Sequence, residues 1–207
     1  KDSVRATAQL FQRNGFAVLA WSARGFGNSI GQITMNAPDK EVADASNLID
    51  YIQNRKEIKK DQSGKPIVGA MGGSYGGALS LMLAAQDKRV KAVSADITWN
   101  NLQEALFPQN GINLKNVGPF KKTWAGTFFS AVSLQSAYLG ECGTFTQLWC
   151  DAYTNAAING APSAAEEKLL ASVSPKNYLQ AITAPTLLSQ GQADSLFPLN
   201  ESFNSLK

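Results

Sequence analysis

A chain of 207 residues, 44% hydrophobic and 17% charged, suits one ordinary globular domain and is not the composition of a disordered segment. Its net charge of +3 comes from scattered basic residues. The densest run, Lys56-Glu57-Ile58-Lys59-Lys60, is broken by an acid and lacks interleaved aromatics, so it reads as a solvated helix end and not as a nucleic-acid patch. No apolar run is long enough to span a membrane, and no signal peptide is visible. The chain opens at Lys1 without a methionine and is helical in pattern almost at once, which leaves an export signal upstream an open matter. The count of histidines is 0.

The predicted elements follow in order. Val4, Ala8 and Phe11 sit at helical spacing, and Gly15 is placed to stop that helix. Phe16-Ala17-Val18-Leu19-Ala20-Trp21 reads as a strand buried on both faces. A glycine-rich turn from Arg24 to Gly31 precedes an amphipathic helix from Glu41 to Asn54, with Val42, Ala45, Ile49 and Ile52 on one stripe. Pro66 to Met71 reads as a strand, and a helix runs through Leu79, Leu83 and Ala84. Val90 to Ile97 is the next strand. Strands alternating with helices predict a parallel α/β sheet.

From Asn100 to Pro162 the pattern changes to a mostly helical insertion rich in Trp, Phe, Gln, Asn and Thr. The domain reading is therefore a core of residues 1–99 and 163–207 with a cap at 100–162. Ser163-Ala164-Ala165-Glu166 is a capping box, and Ser174-Pro175 opens a further helix. Pro185 to Gln190 is the last strand, followed by the turn Gly191-Gln192-Ala193-Asp194.

The chemistry concentrates at Gly72-Gly73-Ser74-Tyr75-Gly76. A G-x-S-x-G sequence between a strand and a helix is a nucleophile elbow, whose strained turn needs small neighbours, here Gly72, Gly76 and Gly77. The Tyr75 amide, at the start of the helix, would face a developing oxyanion. A glycine-rich turn whose serine merely caps the helix is the alternative. Asp194 follows the last strand, at the sheet edge where α/β sites assemble, and could orient a histidine. It could equally be an ordinary turn aspartate, and Asp96 competes for the same role.

Trp99, directly after a strand, is placed to contact substrate. The other aromatics of the insertion fit a cap core. The loop Arg24–Gly31 fails the dinucleotide fingerprint at Ile30, and Gly64-Lys65 is followed by Pro66 where a phosphate-binding loop needs Ser or Thr. Cys142 and Cys150 fit no usual zinc pair and are either a local disulfide or two reduced thiols. The disulfide would imply an oxidising compartment, secreted or in the cell envelope. No metal or cofactor is expected, and nothing sets the oligomeric state.

Together these residues resemble the α/β-hydrolase fold, and more specifically the X-Pro dipeptidyl-peptidase-like family, which includes the cocaine-esterase-type acyl hydrolases. The matching blocks are Ala23 to Ser29, the helix bearing Glu41, Asp44 and Ala45, Met71 to Gly77, and Ala184 to Leu188 leading to Asp194. Ser22 departs from the aspartate that the family often carries there. The resemblance implies a parallel sheet with helices on both faces and a helical cap. It implies that Ser74 is the nucleophile, that Tyr75 gives one oxyanion amide and that Asp194 is the triad acid, acting on a small-molecule ester or peptide.

The same resemblance places the histidine beyond Lys207, and one strand plus the second oxyanion donor before the first helix. The 207 residues are then expected to be an internal portion of a longer chain, inactive alone. Strands flanking the missing one would have unpaired edges, each unsatisfied buried group costing about 1–3 kcal/mol. The competing readings are a hydrolase-fold protein that only binds, and an acyltransferase.

Overall fold

The computed structural model describes residues 2–108, 117–135 and 140–206. Three parallel strands, β1 (Val68–Gly73), β2 (Val90–Asp96) and β3 (Thr186–Ser189), form a sheet in the order β1-β2-β3. These are the expected strands, and parallel pairing explains why each reads as a nearly continuous small or apolar run. Gly73, Asp96 and Ser189 share one register row, so all three strands end level. The segments that follow them open on the same edge.

Eight α-helices are described. α1 (Asp2–Arg13) ends before Gly15, which takes a left-handed φ of 83°. A π-helical turn, Pro38–Val42, leads into α2 (Ala43–Ile52) where a single helix is expected. α3 (Tyr75–Gln86) joins β1 to β2. α4 (Leu102–Leu106), α5 (Lys122–Gln135) and α6 (Gln147–Asn159) occupy the stretch read as a helical insertion; part of that stretch, 109–116 and 136–139, lies outside the described residues.

α7 (Ala164–Ser172) opens with the expected capping box between Ser163 and Glu166. Ser174-Pro175 starts only a 3₁₀ turn, Pro175–Asn177. α8 (Leu199–Ser205) comes last among the described elements.

α3 is apolar on all sides, and every residue from Gly77 to Ala85 is buried, as a helix without a polar face requires. It lies between two cores. One joins Val42, Ala45 and Ile49 of the π turn and α2 to Leu81, Met82 and Leu83 of α3 and to Val93 and Ala95 of β2. The other gathers Ala78 with Trp99, Leu102, Phe107, Trp149, Leu170 and Phe197.

The inserted helices are sewn to the loop after the glycine-rich turn. The Ile33 amide donates to the Thr144 carbonyl at 2.8 Å, and the Thr146 amide donates to Ile33 at 3.2 Å. Cys142 and Cys150 are joined as a disulfide, with a Cα–Cα distance of 5.5 Å.

One expectation needs correction. Phe16–Trp21 is not a strand, and its Phe16 and Trp21 side chains are exposed. A strand exists only through a ladder partner, and among the described residues this segment has none. α2 and α3 cover one face of the parallel sheet, and Met71 and Leu187 lie on the other.

Asp87, just after α3, anchors the α2–α3 pair. Its carboxylate accepts hydrogen bonds from the Arg89 guanidinium at 2.6 Å and from Ser46 Oγ at 2.7 Å. Burial pushes this carboxyl up, but the Arg89 and Ser46 hydrogen bonds outweigh burial and hold it at about 2, below the usual 3.8. A depressed carboxyl confers stability that is present above the unfolded-state value and is lost as pH falls from that value toward the folded one. Asp87→Asn should therefore cost about 1.5–3 kcal/mol at pH 7, and the deficit should shrink between about pH 4 and pH 2. Urea unfolding across that range measures both.

Candidate active site

At the end of β1 the chain turns through Ser74, whose φ of 53° and ψ of −118° lie outside the ordinary allowed regions for a non-glycine residue. Its backbone is held on both sides. The Ser74 amide donates to the Asp96 carbonyl at 2.9 Å, and the Ser74 carbonyl accepts from Gly77 N at 3.0 Å and Ala78 N at 3.2 Å. The Thr98 hydroxyl donates to that same carbonyl at 2.7 Å. The Ser74 side chain makes no capping hydrogen bond to α3, so the helix-cap alternative has no bond behind it.

Glycine is required on steric grounds at two nearby positions. A Cβ on Gly72 would lie 2.4 Å from the Gly76 carbonyl carbon, and one on Gly77 would lie 2.9 Å from Thr98 Cβ. Gly76 itself would have nothing within 4 Å of its Cβ. Its contribution is bare backbone for Gly72 to pack against, and not a position that excludes a side chain.

Tyr75 is the first residue of α3, so its N–H has no partner inside the helix. Its ring and carbonyl are fixed by Glu41 and Asn36, neither of which stood out in sequence as a site residue. The phenol donates to Glu41 Oε1 at 3.0 Å and accepts from the Asn36 amide at 3.1 Å, while Asn36 Nδ2 donates to the Tyr75 carbonyl at 2.8 Å. Glu41 is 1% exposed. Its carboxylate also accepts from Thr34 N at 2.7 Å, from Ala37 N at 3.1 Å and from the Thr34 hydroxyl.

These bonds staple a loop in which both Met35 and Asn36 have positive φ. Burial raises the Tyr75 phenol well above its ordinary value, and the neighbouring Glu41 carboxylate adds to the shift. The phenol is thus a neutral donor throughout the physiological range.

Asp194 sits in the turn after β3, on the same sheet edge as Ser74 and with β2 between them. Its Oδ1 accepts from the Leu196 and Phe197 amides, both at 2.8 Å, and its Oδ2 accepts from Gln190 Nε2 at 3.2 Å. These bonds define a rigid turn aspartate. A carboxylate offers about four lone-pair positions, so the same geometry leaves capacity for one more donor. Asp96 accepts from the Ser189 hydroxyl, and strand alternation puts it on the face opposite Ala95, away from α3.

Trp99 is 2% exposed, and its indole N–H donates to the Val173 carbonyl at 3.0 Å. It forms part of the wall of an apolar cavity of about 140 Å³ together with Met35, Phe107, Phe129, Trp149, Leu196 and Phe197 among others. Ser74 is not among the lining residues. The cavity is linked to the elbow through Trp99, whose ring lies 6.2 Å from that of Tyr75, and to the acid through Phe197, whose ring lies 5.4 Å from Trp99. Most insertion aromatics therefore pack as core, as expected, while also enclosing this space.

A strained serine between a parallel strand and a buried helix, with an acid two strands away, is the arrangement of an α/β-hydrolase. The whole chain, residues 1–207, matches X-Pro dipeptidyl-peptidase (S15 family). The chain belongs to this family. The fold of this S15-family chain is also that of an esterase of Pyrococcus furiosus, at 16% identity and a TM-score of 0.57, over 98% of this chain and 59% of the esterase.

Among curated proteins, the family chain is 30% identical over 101 residues to the thiohydrolase aneE of Aspergillus aculeatus, a match covering 48% of this chain and 29% of that protein. It is 29% identical over 92 residues to an uncharacterised 31.7 kDa protein of Escherichia coli, covering 44% and 30% respectively. The matched regions thus span less than two thirds of each of these proteins.

The steric account predicts unequal glycines. Gly72→Ala should lower the unfolding free energy by more than about 2 kcal/mol, because the contact it crowds is backbone and cannot rotate away. Gly76→Ala should stay within about 1 kcal/mol of the parent, since the added methyl meets open space and favours the helix. Equal losses for the two variants in urea unfolding would contradict this account.

Proposed function

We propose that these residues carry the nucleophile and acid of a serine hydrolase that cleaves an ester or amide through an acyl-enzyme. The observation that carries the proposal is Ser74 itself, held at φ 53° on an elbow with no capping bond to occupy its hydroxyl. In this reading Ser74 Oγ attacks the substrate carbonyl carbon while a histidine takes the hydroxyl proton. The C=O electrons move to oxygen, where the Tyr75 N–H stabilises the charge.

Collapse of that intermediate breaks the bond to the alcohol or amine, which leaves with the proton from the histidine. Water then releases the acid and restores Ser74. Asp194 orients the histidine, and Trp99 forms the substrate-side wall between elbow and cavity. The substrate is a small-molecule ester or peptide, taken without metal or cofactor. The disulfide supports an oxidising compartment, secreted or in the cell envelope.

None of the 207 residues is a histidine, so the chain alone lacks the base and is inactive in this reading. That same observation favours one second reading, a hydrolase-fold protein that holds a ligand without turning it over.

A fluorophosphonate separates the two. In the folded full-length protein it should attach to Ser74, and Ser74→Ala should abolish both labelling and turnover. The 207-residue chain should react slower by roughly 10⁴-fold or more, the scale of losing a triad member. An unlabelled Ser74 in folded full-length protein would sink the enzyme reading.

A further inference from the structure

Among the described residues, Ile97 is the one non-glycine residue of positive φ that the site does not use. It is β-branched, yet it takes a φ of 39°. Such a backbone is strained and persists only where its surroundings impose it. Its side chain is partly exposed, so core packing does not demand the bend. The bend follows β2 directly, at a point where the Ile97 amide still donates to Ser189 O at 2.8 Å. The next residue, Thr98, is buried and is brought beneath the elbow.

There its hydroxyl donates to the Ser74 carbonyl at 2.7 Å, the shortest of the three hydrogen bonds that carbonyl accepts. Gly77 has no room for a side chain because Thr98 Cβ fills the space. A strained Ile97, a buried Thr98 hydroxyl and an obligatory glycine at position 77 thus converge on one carbonyl oxygen.

That oxygen belongs to the Ser74–Tyr75 peptide. No peptide bond among the described residues is cis, and in a planar trans peptide the C=O and N–H point in opposite directions. Whatever fixes the Ser74 carbonyl therefore fixes the direction of the Tyr75 N–H. The Gly77 and Ala78 amides draw the carbonyl toward the α3 backbone. The Thr98 hydroxyl adds a bond from the segment just after β2, outside α3.

We propose that Thr98 is a positioning residue that aims the oxyanion amide of Tyr75 by holding the opposite end of the same peptide. The proposal rests on the serine-hydrolase reading above, because only that reading gives the Tyr75 amide an oxyanion to meet. An amide aimed in advance costs no reorganisation when the charge develops. Its contribution is thus made in the transition state and not in substrate binding.

The test uses the full-length protein and the isosteric change Thr98→Val, with Thr98→Ser as the conservative partner. Thr98→Val should lower kcat about tenfold, less than the 10²–10³ for deleting a direct oxyanion donor, and should leave KM within about twofold. The affinity for phenylboronic acid, which places an oxygen in the oxyanion site, should fall in parallel with kcat, and Thr98→Ser should restore both. A role confined to stability would instead lower Tm without this split between kcat and KM.

Unchanged kcat in Thr98→Val, a loss located in KM, or a serine variant no better than valine would overturn the proposal. If Thr98→Val does not fold, Thr98→Ala is read by the same criteria. Ser74→Ala separates the two layers. If it is inactive while Thr98→Val is fully active, only the Thr98 role fails, whereas turnover by Ser74→Ala removes the reading beneath it.

Discussion

The start of α3 lies against the strand that feeds it because Gly72 places no side chain against the Gly76 backbone; a Cβ on Gly72 would reach 2.5 Å from the Gly76 carbonyl oxygen. Everything at the candidate site depends on that contact. It forces the intervening residue into a left-handed φ and sets the Ser74 hydroxyl out of the helix-capping position, beside the first amide of α3, which like any helix-initial amide has no intrahelical partner. Packing of α3 on every side supplies the rigidity that such strain needs. A helix free to shift would relax the serine toward ordinary backbone geometry.

Two further supports act on the same point from different directions. The end of β2 gives Ser74 a backbone bond through Asp96 and a side-chain bond through Thr98. The Met35–Asn36 loop, stapled by Glu41, grips the Tyr75 ring and carbonyl. The cavity aromatics connect this assembly to the acid. Trp99 touches Tyr75 on one side and Phe197 on the other, and the Phe197 amide is one of the donors that orient Asp194. The Ser74 elbow, the cavity wall and the Asp194 turn therefore form one packed unit.

Much of this was legible in the sequence where the signal is local. The three sheet strands read correctly because parallel strands buried by a helix are nearly continuous apolar or small runs, and the strained strand-to-helix turn at Ser74 read correctly because Gly72 and Gly77 must lie close to it in sequence. The Ser163 capping box was equally local. Phe16–Trp21 has the composition of a strand, but composition carries no information about whether a partner strand lies beside it.

The Cys142–Cys150 spacing left two outcomes open. The fold decides between them by setting a turn next to the first helical turn of α6. Thr98 and Asn36 were illegible for a related reason. Each is an ordinary polar residue whose partner lies 24 or 39 positions away, and only the fold makes them neighbours. Glu41 belonged to a motif block, yet its buried hydrogen bonds to Thr34, Ala37 and Tyr75 had no sequence signature beyond an acid near a helix start.

In the proposed mechanism the elbow presents Ser74 and the Tyr75 amide to one reacting carbonyl. The most direct measurement is a crystal structure of the full-length protein after reaction with a fluorophosphonate. Phosphorus should be bonded to Ser74 Oγ, with a phosphonyl oxygen about 2.7–3.1 Å from the Tyr75 amide nitrogen, the separation expected of an oxyanion donor. Phosphorus on another residue, or a phosphonyl oxygen turned away from that amide, would contradict it.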